Sequence, residues 1–350
     1  MEGIGSVRAR RAAIVLLSLL LGACVQDTGG GTTVTLTFVS YGGVYQRAQA
    51  DAWLRPYEQS HPGVRIVQDE PTDFARLRAM VESGRVRWDV VAVTGDFGLD
   101  RDAGLLEPID CAVVPCADLQ PDLFPTTGYR VPNLVYSTVL AYRTDRYRDR
   151  QPAGYADLFD LRAFPGKRGC HDDPAGGMLE IALLADGVPP ERLYPLDVAR
   201  AFAKLDSIKP ACVWWTTGAQ SAQLLADGEV GMAVAWNGRV HDIERDGAPV
   251  RVSWDEHLLK ADYYVVPRGS RHVQEAMELI AWMTSAEHAA EVTRLLPYPP
   301  ANARAVARVD PAMAPELPTS HPASAVAFDD RWWERNREEV YVRWQRWIRS

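Results

Sequence analysis

The sequence predicts an α/β fold of two domains, on three observations. Strand, glycine turn and helix follow one another over residues 34–57, and the unit recurs at once over residues 65–93. Apolar strands then alternate with one-sided helical patterns through most of the chain, the order that gives parallel strands joined by right-handed helical crossovers. Removing a leader of 23 residues from the 350 leaves 327, enough for two domains that each bury a core.

The leader is read first. Arg8, Arg10 and Arg11 precede an apolar run over residues 12–21, which ends in Leu21-Gly22-Ala23-Cys24. A run of about ten cannot cross a bilayer, and a basic start with small residues before a cut marks an export signal. Cys24 directly after small residues resembles the lipobox of bacterial lipoproteins, so residues 1–23 are the expected signal peptide and Cys24 the expected lipid anchor. The alternative is a plain signal peptide with a bystander Cys24. A twin-arginine route lacks its surrounding consensus. Residues 24–33, rich in Gly and Thr, form a tether with too little apolar content to pack.

Residues 34–39 alternate and then run apolar, a buried strand. Gly42-Gly43 turns the chain, and a helix opens near Gln46 with Ala48, Ala52, Trp53 and Tyr57 on one side. Residues 65–67 and 88–93 read as strands, and 74–81 as a helix with Phe74, Leu77, Met80 and Val81 on one face. The Pro-rich stretch 108–132 is irregular. A long strand follows at 134–142, with helices starting at 158–161 and 178–184 and another at 198–205. Strands at 212–215 and 230–236 flank a helix at 219–225, and the last strand is 262–267 before helices at 272–285 and 286–295. The tail, 327–348, carries Phe328, Trp332, Trp333, Trp344 and Trp347, an apolar stripe expected to clamp the first domain.

Composition narrows the function. The full chain has 38 basic and 46 acidic residues; without the leader the net charge is near −10. Nucleic-acid binding needs basic surface to displace counterions, so no nucleic-acid partner is expected. Beyond Cys24 stand Cys111, Cys116, Cys170 and Cys212, an even number that reads as disulfides in an oxidising compartment. Three pairings are possible. Cys111–Cys116 and Cys170–Cys212 are favoured because each brackets loop-like sequence, and the spacing fits no metal cluster.

No catalytic set is found: a nucleophile elbow, a P-loop and a zinc helix are all missing. Aromatic and charged residues at strand ends are richer. Tyr41 sits where the first strand meets its helix, and ligands of open α/β sheets bind beyond the carboxyl ends of strands. Gly42 and Gly43 let a solute approach the backbone. Trp214 and Trp215 point to opposite faces of one strand, so one is core while the other, Trp215, lines a cavity. Trp236 closes another strand and is followed by Asn237-Gly238-Arg239. The rings of Tyr41, Trp215 and Trp236 suit an ammonium group by cation–π contact. Asp262 begins an apolar strand on the same side as Tyr264, and a buried carboxylate there needs a partner. Arg239 is either that counter-charge or the partner of a ligand carboxylate, with Asp262 taking an amine.

These residues carry a resemblance. SYGGVYQ at 40–46, VYSTVLAY at 135–142, FPGKRG at 164–169, LYPLD at 193–197, WWTTGAQSAQLLADGEVGMAVAWNGR at 214–239 and ADYYVVPRGS at 261–270 resemble polyamine-type (spermidine/putrescine) solute-binding proteins of bacterial ABC importers. The resemblance implies a two-lobed periplasmic-binding-protein fold of type II with crossing hinge strands. Lobe 1 would be 34–138 plus 267–350 and lobe 2 139–266, with hinges near 136–142 and 262–267. It also implies a monomer without cofactor or resident metal, which hands its solute to a membrane permease. Tyr41, Thr94, Trp236 and Asp262 match family ligand positions. Lys260 departs from a usual aromatic, Gly176-Gly177 stand where another acid is expected, and Arg239 adds a cation. Fewer acids and an extra cation favour a short amine or a 4-aminobutyrate-like ω-amino acid over a long polycation. Two rivals are a ferric-ion receptor, prompted by Tyr263-Tyr264, and an enzyme on a two-lobed scaffold.

Overall fold

Alternation builds the first unit of the computed structural model, which describes residues 33–120 and 128–350. In β1 (Val34–Val39) Leu36 and Phe38 are fully buried. The chain turns at Gly42 and enters α1 (Gly43–Gln49), a π-helical stretch (Ala50–Leu54) and α2 (Arg55–Ser60), burying Trp53 and Tyr57. β2 (Val64–Asp69), α3 (Phe74–Glu82) and β3 (Val90–Val93) complete it. Asp73 caps α3 by accepting from the Arg76 amide at 3.0 Å.

The long strand β4 (Val131–Arg143) leads into α4 (Tyr155–Phe159), β5 (Arg168–His171), α5 (Met178–Ala185) and α6 (Val198–Asp206). β6 (Cys212–Trp215), α7 (Gly218–Ala226), β7 (Met232–Trp236) and α8 (Asn237–Arg245) follow, and Thr217 with Gln220 makes a reciprocal cap on α7. The last elements are β8 (Val250–Val265), α9 (Val273–Thr284), β9 (Ala325–Ala327) and α10 (Asp330–Arg349).

All these strands lie in one sheet of order β2-β1-β3-β8-β4-β7-β5-β6, with β9 beside β8. Its two wings, β2-β1-β3 and β7-β5-β6, are parallel as expected. The centre is not: β3/β8, β8/β4 and β4/β7 are antiparallel. The paired β4 and β8 run from one wing to the other, with Val131 opposite Tyr264 at one end and Arg143 opposite Val250 at the other. This places the carboxyl ends of β1, β3 and β7 around one gap.

Several expectations need correction. The strand expected at 262–267 begins at Val250, because its first half (VRVSWDEH) is too polar to read as buried. β5 and α8 were not anticipated: the first is four residues containing glycine, and the second opens on Asn-Gly, a turn signal. The helix expected at 286–295 reduces to a single 3₁₀ turn, Glu291–Arg294. The tail does not clamp the first domain's core. Trp332, Trp333, Val340 and Trp344 enter the core of Tyr155, Met178, Ile181 and Leu205, whereas the polar side of α10 meets Arg101 and Asp102. Both expected disulfides are present, Cys111–Cys116 and Cys170–Cys212, the second joining β5 to β6. Thr33–Ser350 form one compact unit, and no helix among the described residues is long and apolar enough to cross a membrane. Residues 1–23, Cys24 and the tether up to residue 32 lie outside the described residues.

Candidate solute-binding cleft

A narrow cleft with a cavity of about 30 Å³ opens where the wings meet. Tyr41 follows β1, Thr94 follows β3, Trp236 ends β7, Arg239 lies in the first turn of α8 and Asp262 sits on β8; all five line it. Tyr45 on α1, Tyr136 on β4 and Tyr298 after α9 complete the wall. The rings meet edge to face or offset: Tyr41–Tyr45 at 6.1 Å, Tyr45–Tyr298 at 5.6 Å, Tyr136–Trp236 at 6.4 Å and Tyr136–Tyr298 at 6.5 Å. Aromatic faces on several sides exclude water while offering their negative quadrupoles to a cation.

Two opposite charges stand inside this wall. Asp262 is 6% exposed and Arg239 4%. Asp262 accepts one hydrogen bond, from the Tyr45 hydroxyl at 2.8 Å. Burial raises its pKa to about 7, against the opposing pull of the Tyr45 hydrogen bond and the Lys260 charge. Arg239 donates from Nη2 to the Gly42 carbonyl at 3.1 Å, and its Nε has no partner. Burial lowers its pKa. Among the described residues neither charge has an ion-pair partner within 4.0 Å. Burying a charge is costly unless it is paired, so two such groups in one cleft mark a site built for something else to complete.

Local backbone chemistry makes room for them. Gly42 and Gly43 have φ of +69° and +60°, a region that side-chain-bearing residues rarely adopt. A Cβ on Gly43 would lie 2.8 Å from Arg239 Nη1, and one on Gly218 would lie 2.5 Å from the Trp236 ring. Arg239 therefore threads between glycines contributed by two different elements. Tyr41 and Tyr45 stay protonated, because burial, reinforced by Asp262, raises both phenols well above their usual pKa.

Four expected ligand residues do not line the cleft: Gly42 and Gly43, whose open sides are taken by the Glu70 and Arg239 side chains, and Trp215 and Tyr264. Trp215 is 1% exposed and one ring behind it, stacked on His171 at 3.9 Å and edge-on to Trp236 at 5.6 Å. β6 is the outermost strand of its wing, so the ring supports Trp236 rather than reaching the gap. Burial lowers the pKa of His171 to about 3, so this support is uncharged. Tyr264 shares a strand face with Asp262 as expected, but it sits where β8 pairs with β3, fully buried edge-on to Phe38 at 5.9 Å. Tyr263 turns the other way and donates to Asp330 at 2.8 Å, so the two phenols enter different cores. Of the departures, Lys260 is 4% exposed, donates to the Ala175 carbonyl at 2.8 Å and lies 4.0 Å over the Phe328 ring.

Sequence reasoning missed Tyr45, Tyr136 and Tyr298. Tyr45 lies one helical turn beyond Tyr41, and Tyr136 alternates into the gap from the long strand; both carried a readable signal. Tyr298 comes from the irregular PYPP segment, where nothing local marks it.

A gap at the carboxyl ends of two parallel wings, walled with rings and holding two unpaired charges, defines a solute-binding protein. The chain belongs to the bacterial extracellular solute-binding protein family, whose profile matches residues 52–319. It is 35% identical to the gamma-aminobutyric acid-binding protein of Pseudomonas aeruginosa, over 94% of this chain and 95% of that one. It is 25% identical to spermidine/putrescine-binding periplasmic protein 1 of Haemophilus influenzae, over 77% of each. Among solved structures, a GABA receptor matches with TM-score 0.82 at 41% identity, covering 90% of this chain and 97% of that one. AgtB of A. tumefaciens R10 in complex with agropinic acid matches with TM-score 0.84 at 34% identity (91% and 99% covered). AttC of Agrobacterium tumefaciens C58, open and unliganded, matches with TM-score 0.65 at 31% identity (90% and 99% covered). These relatives are solute receptors, and this chain is a solute-binding protein and not an enzyme.

Proposed function

We propose that the chain is the extracytoplasmic receptor of an ABC importer, anchored by lipid on Cys24, and that it captures a short ω-amino acid of the 4-aminobutyrate type. The observation that carries this reading is the pair of buried charges, Asp262 and Arg239, unpaired in one aromatic-walled cleft. A zwitterion with its charges at opposite ends completes both. Its ammonium meets Asp262 and the faces of the surrounding tyrosines and Trp236, and its carboxylate meets the guanidinium fork of Arg239. A diamine satisfies Asp262 but brings a second cation against Arg239. The similarity to the gamma-aminobutyric acid-binding protein and to the GABA receptor supports the same ligand class.

The wings act as lobes, residues 34–138 with 267–329 and residues 139–266, with α10 packed on the second. β4 and β8 are the hinge strands, and irregular register at Pro132/Leu134 and Val139/Leu140 on β4 gives them a place to flex. At similar identity and coverage the fold fits the agropinic-acid complex far better than the open AttC. That supports a closed arrangement here. Closure then brings Tyr41 and Thr94 of one wing against Trp236 and Arg239 of the other, with Asp262 on the hinge strand β8 between them, contacts that draw the open form toward the closed one.

Titration calorimetry with 4-aminobutyrate, putrescine, spermidine and Fe³⁺ tests the ligand class. Heat with 4-aminobutyrate and little with the diamines supports the proposal; tighter binding of spermidine, or binding of iron alone, overturns it. Intact mass of the membrane-extracted protein tests the anchor. A diacylglycerol adduct at Cys24 that Cys24→Ser abolishes is the expected result.

A further inference from the structure

We infer that a basic groove at the root of the tether docks the first lobe on anionic phospholipid headgroups. The inference rests on the reading of Cys24 as a lipid anchor. The groove is lined by Arg85, Arg87, Arg271 and His272, together with Thr35 and Thr37 of β1. Its one acid, Asp89, is engaged elsewhere: its carboxylate accepts from the Thr37 amide at 2.8 Å and from the Ser270 hydroxyl at 2.6 Å.

The three arginines are exposed, and among the described residues none has a carboxylate within 4.0 Å. Some exposed arginines of this acidic chain are paired, as Arg76 is to Asp69 at 2.9 Å and Arg200 to Asp186 at 2.7 Å, whereas these three share one groove. Three unpaired guanidinium groups converging on one groove, in a chain with 46 acidic residues against 38 basic, form a local positive field in a negative surround. Guanidinium forks match phosphate oxygens.

Position supplies the partner. Thr33, the first described residue, lies two positions before Thr35 on the groove's rim and nine after Cys24. Nine residues span at most about 32 Å. The groove is therefore the part of the receptor held nearest the bilayer, where contact within a Debye length of about 8 Å is reachable. The cleft residue Tyr41 lies at the far end of β1, roughly 20 Å away, so docking by this edge leaves the solute gap off the membrane.

The test uses the chain from residue 24 onward with Cys24→Ser, which has no lipid, floated with phosphatidylcholine vesicles containing or lacking phosphatidylglycerol. The account predicts partition onto the anionic vesicles only, lost at high salt. Arg85→Gln, Arg87→Gln and Arg271→Gln together should weaken that partition about a hundredfold. Equal charge removal at Arg162, Arg192 and Arg335, exposed and distant in sequence, should leave most of it. Solute affinity of the groove variant should match that of the unaltered chain, which shows that it folds. Equal partition onto neutral vesicles, or equal loss in both triple variants, overturns the proposal. So does arginine-dependent thermal stabilisation by inorganic phosphate without vesicle binding, which would make the groove a soluble-anion site. Because the protein tested carries no lipid, absence of lipidation at Cys24 would leave these outcomes readable.

Discussion

Two buried arginines on opposite sides of β8 separate structural from functional chemistry. Arg130 is 1% exposed, and its Nη2 pairs with Asp330 at 2.8 Å. Its Nη1 donates to the Gly95 and Phe97 carbonyls, and its guanidinium lies 3.7 Å over the Tyr263 ring. Arg239 is as deeply buried, yet among the described residues it has one carbonyl contact and no acid within 4.0 Å. Both leave Nε without a partner, so the contrast lies in the terminal nitrogens. The fold completes the first cation from its own chain. The second is left to be completed by a ligand, which is why removing each should have opposite consequences.

The largest expected effect breaks the comparison on the stability side. Arg130→Ala takes the counter-charge from the partly exposed Asp330, to which Tyr263 still donates, and leaves the buried Gly95 and Phe97 carbonyls without their donor. It should cost about 2–4 kcal/mol of stability, read by denaturant unfolding. Solute affinity of the folded fraction should hardly change. Arg239→Met should do the reverse. Calorimetry should show the affinity for 4-aminobutyrate falling by roughly thirtyfold or more, the low end of about 2–5 kcal/mol for truncating a buried hydrogen-bonded charge partner, while the unliganded melting temperature holds or rises.

Asp262 sharpens the same contrast through pH. Its folded pKa, about 7, lies above the unfolded value near 3.9, so the unliganded fold holds a proton that the unfolded chain has lost between those limits. Its favourable contribution is present below about pH 4 and is lost as pH rises through 7. Asp262→Asn should therefore melt higher than the unaltered chain at pH 8, with the difference vanishing near pH 4, even as amine binding weakens at least tenfold. In the unaltered protein an ammonium ligand requires the carboxylate. Affinity should fall toward tenfold per unit below pH 7, and calorimetric heats there should vary with the ionisation enthalpy of the buffer. A smaller effect is expected of Gly218→Ala, whose methyl group would meet Trp236 and tilt it; a several-fold loss of affinity with nearly unchanged melting checks that.

Much of this was legible in the sequence because the wings obey local rules. The strands at 34–39 and 212–215 come from apolar periodicity, and four cleft residues, Tyr41, Trp236, Arg239 and Asp262, come from their place at strand ends, whereas Thr94 came from the family resemblance alone. The central antiparallel pair was not legible in that way. β8 is half polar, and its partners β3 and β4 are far away in sequence, so no local pattern declares the direction of pairing. Trp215 and Tyr264 were misplaced for a related reason. Alternation tells which face a residue takes, but not whether that face looks into a gap or into a neighbouring strand's side chains. The tail's stripe announced burial without saying against which core.

The most direct test of the central claim is calorimetry of 4-aminobutyrate and putrescine against the unaltered chain and Arg239→Met side by side. The account predicts that the variant loses most of its affinity for the ω-amino acid while binding the diamine as well as before or better. Equal losses for both ligands, or undiminished binding of 4-aminobutyrate, would contradict a cleft completed at its Arg239 end by the solute's carboxylate.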